Sequence, residues 1–400
     1  QFLESRYGGS GVLLGGIAAA VSKMCLGNGV GITFSRSIQR DDLFKADYGT
    51  FLLEVPSGTD VTEALVGTGY YELGETTMVP SIVCGQVVLT LQEIERAWRE
   101  PLEKIFPTNA KAIGTVPPTA LYTAGTKISA KAPYARPRVF IPVFPGTNCE
   151  YDSARAFQRA GALVESLVIR NQTPQAIAET VEALVKGVRE AQILMLPGGF
   201  SGGDEPDGSG KFIAAMFRSP RLREAVMNHL YRQDGLILGI CNGFQALVKL
   251  GLLPYGEIRD LTVDDPTLTF NTIGRHFSGM VQTRVVSNLS PWLSGTAPGT
   301  LHTVPVSHGE GRFVADRAVV AALRLRGQIA TQYVDEVGNP TMESPYNPNG
   351  STWAIEGITS PDGRILGKMG HSERIGENIA VNIPGDKDQK IFASGVKYYS

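Results

Sequence analysis

The stretch that decides the fold is "DGLILGICNGFQALVKLGLLP", residues 234–254. An apolar run leads into Cys241, which stands between Gly239 and Gly243, and an amphipathic helical pattern follows. The apolar run predicts a strand buried on both faces, and the helix after it predicts a parallel sheet covered by helices. The paired glycines predict a tight turn that presents the thiol at the carboxyl end of the strand, as in a nucleophile elbow.

Outward from this stretch, the pattern predicts two domains. Strand-like and helix-like segments alternate four times from residue 138 to residue 251, which predicts a doubly wound, mostly parallel α/β sheet. Strands and turns are predicted after residue 255. Residues 1–107 mix short strands and helices and predict a smaller α+β domain, including one strand over residues 81–88. Residues 108–137 are rich in Ala, Thr, Pro and Gly and predict a linker or a wrapping segment, so that the second domain is residues 138–400.

Charge and cysteine content narrow the class of protein. The chain has 37 basic and 39 acidic residues, a balance that favours neither nucleic acid nor a membrane surface as partner. Its apolar runs are too short to span a bilayer. The cysteines are far apart and lack the Cys-x-x-Cys spacing of a metal or redox site, so we expect reduced thiols, no metal and a cytoplasmic protein. They are Cys25, Cys84, Cys149 and Cys241.

Cys241 is the candidate nucleophile. A helix N-terminus carries partial positive charge and free N–H groups, which favour a thiolate at this position. The residue that follows, Asn242, is placed to donate its backbone N–H to a developing oxyanion. Cys149 also comes after a predicted strand but lacks paired glycines, so we expect a structural thiol near the site.

A thiol nucleophile needs a base and oxyanion donors. In "LGKMGHSERIG", His371 comes after a strand-like run, and Glu373 lies two residues later, on the same face of an extended backbone. A carboxylate there fixes the tautomer of an imidazole base. The glycine-rich "LPGGFSGGD", residues 196–204, ends another predicted strand at the same edge, and Gly199 is the candidate second oxyanion donor.

Together these motifs resemble class I glutamine amidotransferase domains. The Gly-x-Cys-x-Gly-x-Gln pattern ends at Gln245, and the Pro-Gly-Gly and His-x-Glu patterns are also present. The resemblance implies a flavodoxin-like sheet and a thiol–imidazole–carboxylate triad. It also implies a substrate-binding role for Gln245. His308 and Arg275 are further candidates for substrate binding, and a structural salt bridge is an equal alternative for Arg275.

The stretches "FPGTNCEYD", "GGFSGGDE", "HGEGRF" and "GHSERI" are similar to the glutaminase domain of the phosphoribosylformylglycinamidine synthase family. Ser372 stands where most members have proline, and the flanking His and Glu are kept. The resemblance implies that this chain is the C-terminal portion of a larger polypeptide, with residues 1–107 belonging to a synthetase-like domain. The implied partners are glutamine, the remaining synthetase domains and formylglycinamide ribonucleotide, which is amidated in purine biosynthesis. ATP and Mg²⁺ are expected for the full enzyme, and no cofactor for this portion.

Two other functions remain open on the sequence alone. A cysteine peptidase would also use a Cys and a distant His, although the alternating α/β order argues against it. A redox-sensing or regulatory binding module would keep the cysteine at the turn without glutaminase activity. Hydrolysis of free glutamine distinguishes the three.

Overall fold

A computed structural model describes residues 8–11, 15–45, 49–63, 65–117, 119–126, 128–203 and 209–400. The chain divides into two compact units, Gln1–Thr108 and Asn109–Ser400. The predicted glycine-rich motif at residues 196–204 lies within the described residues except for its last position.

The first unit is built from short strands and helices. The strands are β1 (Gly8–Gly11), β2 (Gly31–Phe34), β3 (Phe51–Glu54), β4 (Gly74–Thr77), β5 (Ser81–Cys84) and β6 (Val87–Thr90), and the helices are α1 (Gly16–Asn28), α2 (Arg40–Phe44) and α3 (Leu91–Glu103). Four strands form a sheet in the order β4-β2-β5-β6, and β1 pairs with β3. The prediction of one strand over residues 81–88 was wrong, because Gly85 has φ 59° and turns the chain into an antiparallel hairpin of β5 and β6.

The second unit contains the elements that surround the quoted stretch. Its strands are β7 (Arg138–Val143), β8 (Leu163–Val168), β9 (Ile193–Leu196), β10 (Leu236–Ile240), β11 (Thr267–Thr269), β12 (Phe277–Val285), β13 (Leu301–His308), β14 (Arg312–Val314), β15 (Ile329–Tyr333), β16 (Ile355–Thr359) and β17 (Ile365–Lys368). Its helices are α4 (Glu150–Arg159), α5 (Pro174–Glu190), α6 (Lys211–Phe217), α7 (Pro220–Arg232), α8 (Asn242–Leu250), α9 (Leu252–Tyr255), α10 (Arg317–Leu325) and α11 (Ile391–Lys397).

Nine of these strands form one sheet, in the order β13-β12-β15-β16-β17-β10-β9-β7-β8. The five strands from β17 to β8 are parallel, and the other four extend the sheet in antiparallel pairing. Strands β9 and β10 are buried along their whole length, as expected where both faces are covered. The α/β fold class predicted from the sequence is confirmed.

Two helices after residue 255 were not predicted. Strands and turns were expected after residue 255, but α10 and α11 lie in that part of the chain. Helix α10 buries Val320 and Leu323, and α11 packs Phe392 edge-on against Phe157 with ring centroids 4.9 Å apart. No helix in the described ranges combines the length and the apolar composition needed to cross a bilayer.

Residues 109–137 belong to the second unit, and the described parts of this segment are bonded to it. The backbone N–H of Tyr122 donates to the carbonyl of Val286, at 2.8 Å. Further along, the N–H of Ala130 donates to the carbonyl of Tyr398, at 2.9 Å. These hydrogen bonds are those of a segment that wraps its own unit.

The register of three parallel strands brings their carboxyl ends to one edge. Strand β10 lies between β9 and β17, with Gly239 paired to Leu196 and Ile240 paired to Lys368. The residues that come after each of the three strands therefore leave the sheet side by side. This edge is where open parallel sheets bind their ligands.

Gly243 is required where α8 packs on β9, and its substitution gives a first prediction. A Cβ at this position would lie 1.9 Å from the carbonyl oxygen of Leu196, which is backbone and cannot rotate away. We expect Gly243→Ala to lower the free energy of unfolding by about 3 kcal/mol, measured by urea denaturation. Gly309→Ala is the control, because a Cβ there meets no atom within 4 Å. It should change stability by less than about 0.5 kcal/mol.

Candidate active site

The turn after β10 has the geometry of a nucleophile elbow. Cys241 has φ 51° and ψ −105°, a strained conformation for a residue other than glycine, and it is the N-cap of α8. Its backbone N–H donates to the carbonyl of Lys368, at 2.8 Å. The residue is 4% exposed, so the thiol lies at a nearly closed site beside the N-terminus of α8.

His371 and Glu373 form a buried ion pair just beyond β17. The imidazole Nδ1 lies 2.6 Å from the carboxylate Oε1, with 2% and 0% of the two side chains exposed. Burial by itself would lower the pKa of His371, but Glu373 first and then Cys241 outweigh burial and raise that pKa well above its ordinary value. Nε2 has no hydrogen-bond partner among the described residues. The carboxylate therefore holds one ring nitrogen and leaves the other for chemistry.

The Cys149 thiol contacts this imidazole, and Cys241 lies close to both. Cys149 Sγ is 3.8 Å from His371 Nδ1, and the Nη2 of Arg374 donates to the same sulfur at 3.1 Å. A Cβ on Gly198 would lie 2.7 Å from His371 Cε1, 3.2 Å from Cys149 Sγ and 3.4 Å from Cys241 Cβ. Gly198 thus marks the point where β9, β10 and the His371 loop meet. The sequence predicts a structural thiol near the site at Cys149, and the structure places its Sγ in contact with the His371 imidazole.

The two candidate oxyanion donors lie on either side of this point. Gly199 has φ 140°, in the region that favours glycine, and a Cβ there would be 2.7 Å from the carbonyl oxygen of Gly146. Asn242 is the first residue of α8, where backbone N–H groups have no partner within the helix. Both residues are adjacent to the site in the fold. Their role as donors remains a prediction.

Gln245 is held within the protein. Its Nε2 donates to the backbone carbonyl of Glu310 at 2.6 Å, and its Oε1 accepts from Asn242 Nδ2 at 3.0 Å. Asn242 Oδ1 in turn accepts from the N–H of Ser201, at 3.2 Å. The side chain therefore ties the elbow helix to the loop after β9 and to the loop after β13. Direct contact with a substrate glutamine remains a prediction for this residue.

His308 and Arg275 occupy different environments. His308 is buried, and its Nδ1 lies 3.2 Å from Asn271 Oδ1. Burial, together with repulsion by His371 and His276, lowers the pKa of His308 to about 3, so this imidazole is neutral. Arg275 is exposed, and its backbone carbonyl accepts from Asn271 Nδ2. Substrate binding by these two residues stays a prediction.

Three side chains of the site, Cys149, His371 and Glu373, are also of the types that coordinate a cation. Ligand atoms of Cys149, His371 and Glu373 all lie within 4.8 Å of one another. In the short bond the Nδ1–H of His371 donates to a lone pair of Glu373, and Arg374 places its positive charge beside the Cys149 sulfur. Thiol, imidazole and carboxylate in contact are also the set needed for attack on an acyl carbon, with the imidazole moving the proton.

Several residues near the site were missed in the sequence. Arg374 contacts Cys149, and Lys368 forms a fully buried ion pair with Glu356 beneath the His371 loop. One signal was available, because Lys368 interrupts an otherwise apolar strand and a lysine there must find a partner. Nothing local indicates Glu356 as that partner.

The second unit is similar to known proteins. Residues 136–399 match the family model described as CobB/CobQ-like glutamine amidotransferase domain. A protein of Methanococcus maripaludis, phosphoribosylformylglycinamidine synthase subunit PurQ, is 36% identical over 244 residues, which are 60% of this chain and 83% of that protein. The subunit of the same name from Thermomicrobium roseum is 32% identical over 259 residues, 64% of this chain and 94% of that protein. The solved structure of PurLQS from Thermotoga maritima aligns with a TM-score of 0.48 at 26% identity, covering 66% of this chain and 100% of that chain.

Proposed function

Because the chain belongs to the CobB/CobQ-like glutamine amidotransferase domain family, we propose that its second unit hydrolyses the side-chain amide of glutamine at Cys241. The observation that supports this reaction is the buried imidazole–carboxylate pair beside a thiol on a strained strand-to-helix turn. The chain is an enzyme that uses glutamine as amido donor.

The first step is attack by the Cys241 thiolate on the amide carbon of glutamine. The carbonyl electrons move to oxygen, and the N–H groups of Gly199 and Asn242 stabilise this oxyanion. One such donor contributes about 3 kcal/mol to the transition state. Protonated His371 then gives its proton to the amide nitrogen as the C–N bond breaks, and ammonia leaves. The product on the enzyme is a γ-glutamyl thioester.

The second step returns the enzyme to its starting state. His371, now neutral, takes a proton from water, and the hydroxide adds to the thioester carbon. Collapse of the tetrahedral adduct breaks the C–S bond, releasing glutamate and restoring the thiolate. Glu373 is the positioning residue of this cycle, because it fixes the tautomer of the imidazole and stabilises its protonated form.

We further propose that the ammonia is used to amidate formylglycinamide ribonucleotide in purine biosynthesis. The supporting observation is the identity of 36% and 32% with two proteins named as PurQ subunits of phosphoribosylformylglycinamidine synthase. In this proposal ATP and Mg²⁺ are bound by synthetase portions outside the site described here, and those portions are the protein partners of this chain. We place the reaction in the cytoplasm, where cysteines such as the four of this chain stay unpaired.

The test is glutamate release from glutamine by the 400-residue chain, together with labelling by a glutamine analogue that has an electrophilic group at the amide position. We expect glutamate to be released and the analogue to be found on the peptide that contains Cys241. Cleavage of a casein substrate without glutamate release would support a peptidase instead. A folded protein that neither releases glutamate nor takes the label would be a binding module, and the proposal would be wrong.

The acceptor is tested separately. The chain is mixed with the synthetase subunit of a PurQ relative, formylglycinamide ribonucleotide, ATP, Mg²⁺ and glutamine labelled with ¹⁵N in its amide. We expect ¹⁵N in the amidine product, and we expect no transfer when the chain is omitted. Glutamate release without transfer to this acceptor, in a mixture that is active with free ammonia, would favour a different acceptor.

A further inference from the structure

A fully buried ion pair lies directly beneath the His371 loop and has no part in the chemistry proposed above. Lys368 Nζ is 3.0 Å from Glu356 Oε1, and neither side chain is exposed at all. Removing two charges from water is costly, and such a pair contributes little net stability compared with apolar side chains of the same size. The role of the pair is therefore inferred from the contacts that it makes.

Both members of the pair hold the residue before His371. Glu356 Oε1 accepts from the N–H of Gly370 at 2.6 Å, and Lys368 Nζ donates to the carbonyl of Gly370 at 2.8 Å. The carbonyl of Gly370 belongs to the peptide bond that enters His371. The ion pair thus fixes both peptide planes around Gly370, and with them the direction in which the backbone enters His371.

The same pair is connected to the elbow. The backbone carbonyl of Lys368 accepts from the N–H of Cys241 at 2.8 Å, so one residue contacts the turn of the thiol and the loop of the base. Glu356 Oε2 also accepts from the hydroxyl of Thr331, which leaves the carboxylate with a partner on each oxygen. Both charged groups have their hydrogen-bond partners in this arrangement, and a side-chain movement would break bonds without forming new ones. The pair is therefore rigid.

Gly370 has no side chain, and this allows the ion pair to approach its backbone closely. A Cβ on this residue would lie 2.8 Å from Glu356 Oε1, 2.9 Å from Lys368 Nζ and 2.7 Å from a methyl carbon of Val304. The ion pair therefore packs against the backbone itself at this point. A methyl group there would separate the two charged atoms from the peptide that they hold.

We propose that the Lys368–Glu356 pair is a positioning element that sets the imidazole of His371 relative to the Cys241 thiol. It acts through the Gly370 peptide and touches no substrate atom. This inference rests on the proposed glutaminase function, which it deepens. A displacement of reacting groups by about 1 Å lowers rates by about a hundredfold, so a small loss of order here has a large effect.

The test variant is E356Q/K368M. It removes both charges, so that no single charge is left buried, and the Gln carbonyl still accepts from the N–H of Gly370. We expect kcat for glutamate release to fall by about ten- to a hundredfold while KM for glutamine changes by less than about twofold. R170M/E179Q, which removes an exposed ion pair of the same unit, is the control and should leave kcat unchanged.

Imidazole ¹⁵N and Nδ1–H signals of His371 give a readout that does not depend on turnover. In the wild type we expect a single downfield Nδ1–H resonance from the bond to Glu373, and in E356Q/K368M a broadened or shifted one. Gly370→Ala, which keeps both charges, should reproduce the two effects and replaces the double variant if that one does not fold.

A folded variant with wild-type kcat and an unchanged His371 spectrum would overturn the proposal. Failure of the proposed function is a separate result. In that case wild-type protein would release no glutamate and take no label at Cys241, while the spectra of the same samples would still show whether the pair orders His371.

Discussion

Cys241→Ala is expected to lower glutamate release by about 10⁴-fold or more, because the attacking atom is lost and the residual rate reflects only binding and the oxyanion donors. The γ-glutamyl thioester cannot form in this variant, so the electrophilic glutamine analogue should leave the protein unlabelled. Measurement of glutamate over hours, with intact-protein mass spectrometry after labelling, covers this range. Residual activity above about a hundredth of wild type would contradict the assignment of Cys241 as nucleophile.

Cys149→Ser is the matched control for this experiment. Cys149 Sγ lies 3.8 Å from His371 Nδ1, so on distance alone it competes for the role of nucleophile. It approaches Nδ1, however, and that nitrogen is already bonded to Glu373 at 2.6 Å. Cys149 also lacks the strained φ of 51° that presents Cys241 at the start of α8.

The expected result for Cys149→Ser is a small one. Serine keeps a hydroxyl at this position, so at most one weak hydrogen bond to the imidazole is lost, which amounts to about 1 kcal/mol or about fivefold in rate. The label should still be found on the peptide containing Cys241. If Cys149→Ser abolished glutamate release while Cys241→Ala did not, the two cysteines would exchange roles, and the elbow would be a structural turn.

The sequence predicted the parallel half of the large sheet because its signals are local. The patterns of a buried strand, a glycine turn and a helix with one apolar face all lie within residues 234–254. Together they predict a single strand–turn–helix unit. Helix α11 could not be predicted in this way. It is seven residues long, and its burial depends on distant partners such as Phe157. Its stability comes from tertiary packing, which a pattern within the segment does not contain.

The site shows the same limit. The rule that carboxyl ends of parallel strands share one edge predicts Cys241 and Gly199 at the same edge of the sheet, and His371 was predicted only to follow a strand. It could not give the direction of Gln245, because that side chain is bound by the carbonyl of Glu310, 65 residues away. Cys149 was underestimated for a similar reason. It comes after β7, whereas His371 comes after β17, and β9 and β10 lie between these two strands, so the contact spans both of them.

Glu373→Gln is the second substitution with a large expected effect. The Gln side chain keeps the shape of the carboxylate but removes the charge that favours protonated His371. In a comparable triad, the amide for carboxylate exchange lowers kcat by about 10⁴-fold through the wrong tautomer, so we expect a loss between about 10²- and 10⁴-fold here. Steady-state kinetics of glutamate release measure it, and His371→Gln provides the reference for complete loss of the base.

The pH dependence of this variant separates a charge effect from damage to the fold. In the wild type Glu373 holds the pKa of His371 well above 6.5, so activity that needs the imidazolium falls only as pH rises through that raised pKa. Without the carboxylate, burial dominates and the pKa of His371 falls, which moves the alkaline loss of activity to lower pH. An unchanged alkaline limb in Glu373→Gln would contradict the role assigned to Glu373.

Stability should depend on the same pair. Burial raises the pKa of Glu373 and is the largest single effect. The charge and the hydrogen bond of His371, with smaller contributions, together outweigh burial and lower this pKa from 4.5. In the unfolded chain Glu373 is charged above pH 4.5 and His371 is charged below pH 6.5. Between these two pH values the pair contributes its full stabilisation to the folded state. This stabilisation is lost as pH rises through the raised pKa of His371, and also as pH falls through the lowered pKa of Glu373. The difference in unfolding free energy between wild type and Glu373→Gln should therefore be largest in that window and shrink on either side, because on each side one member of the pair has lost its charge.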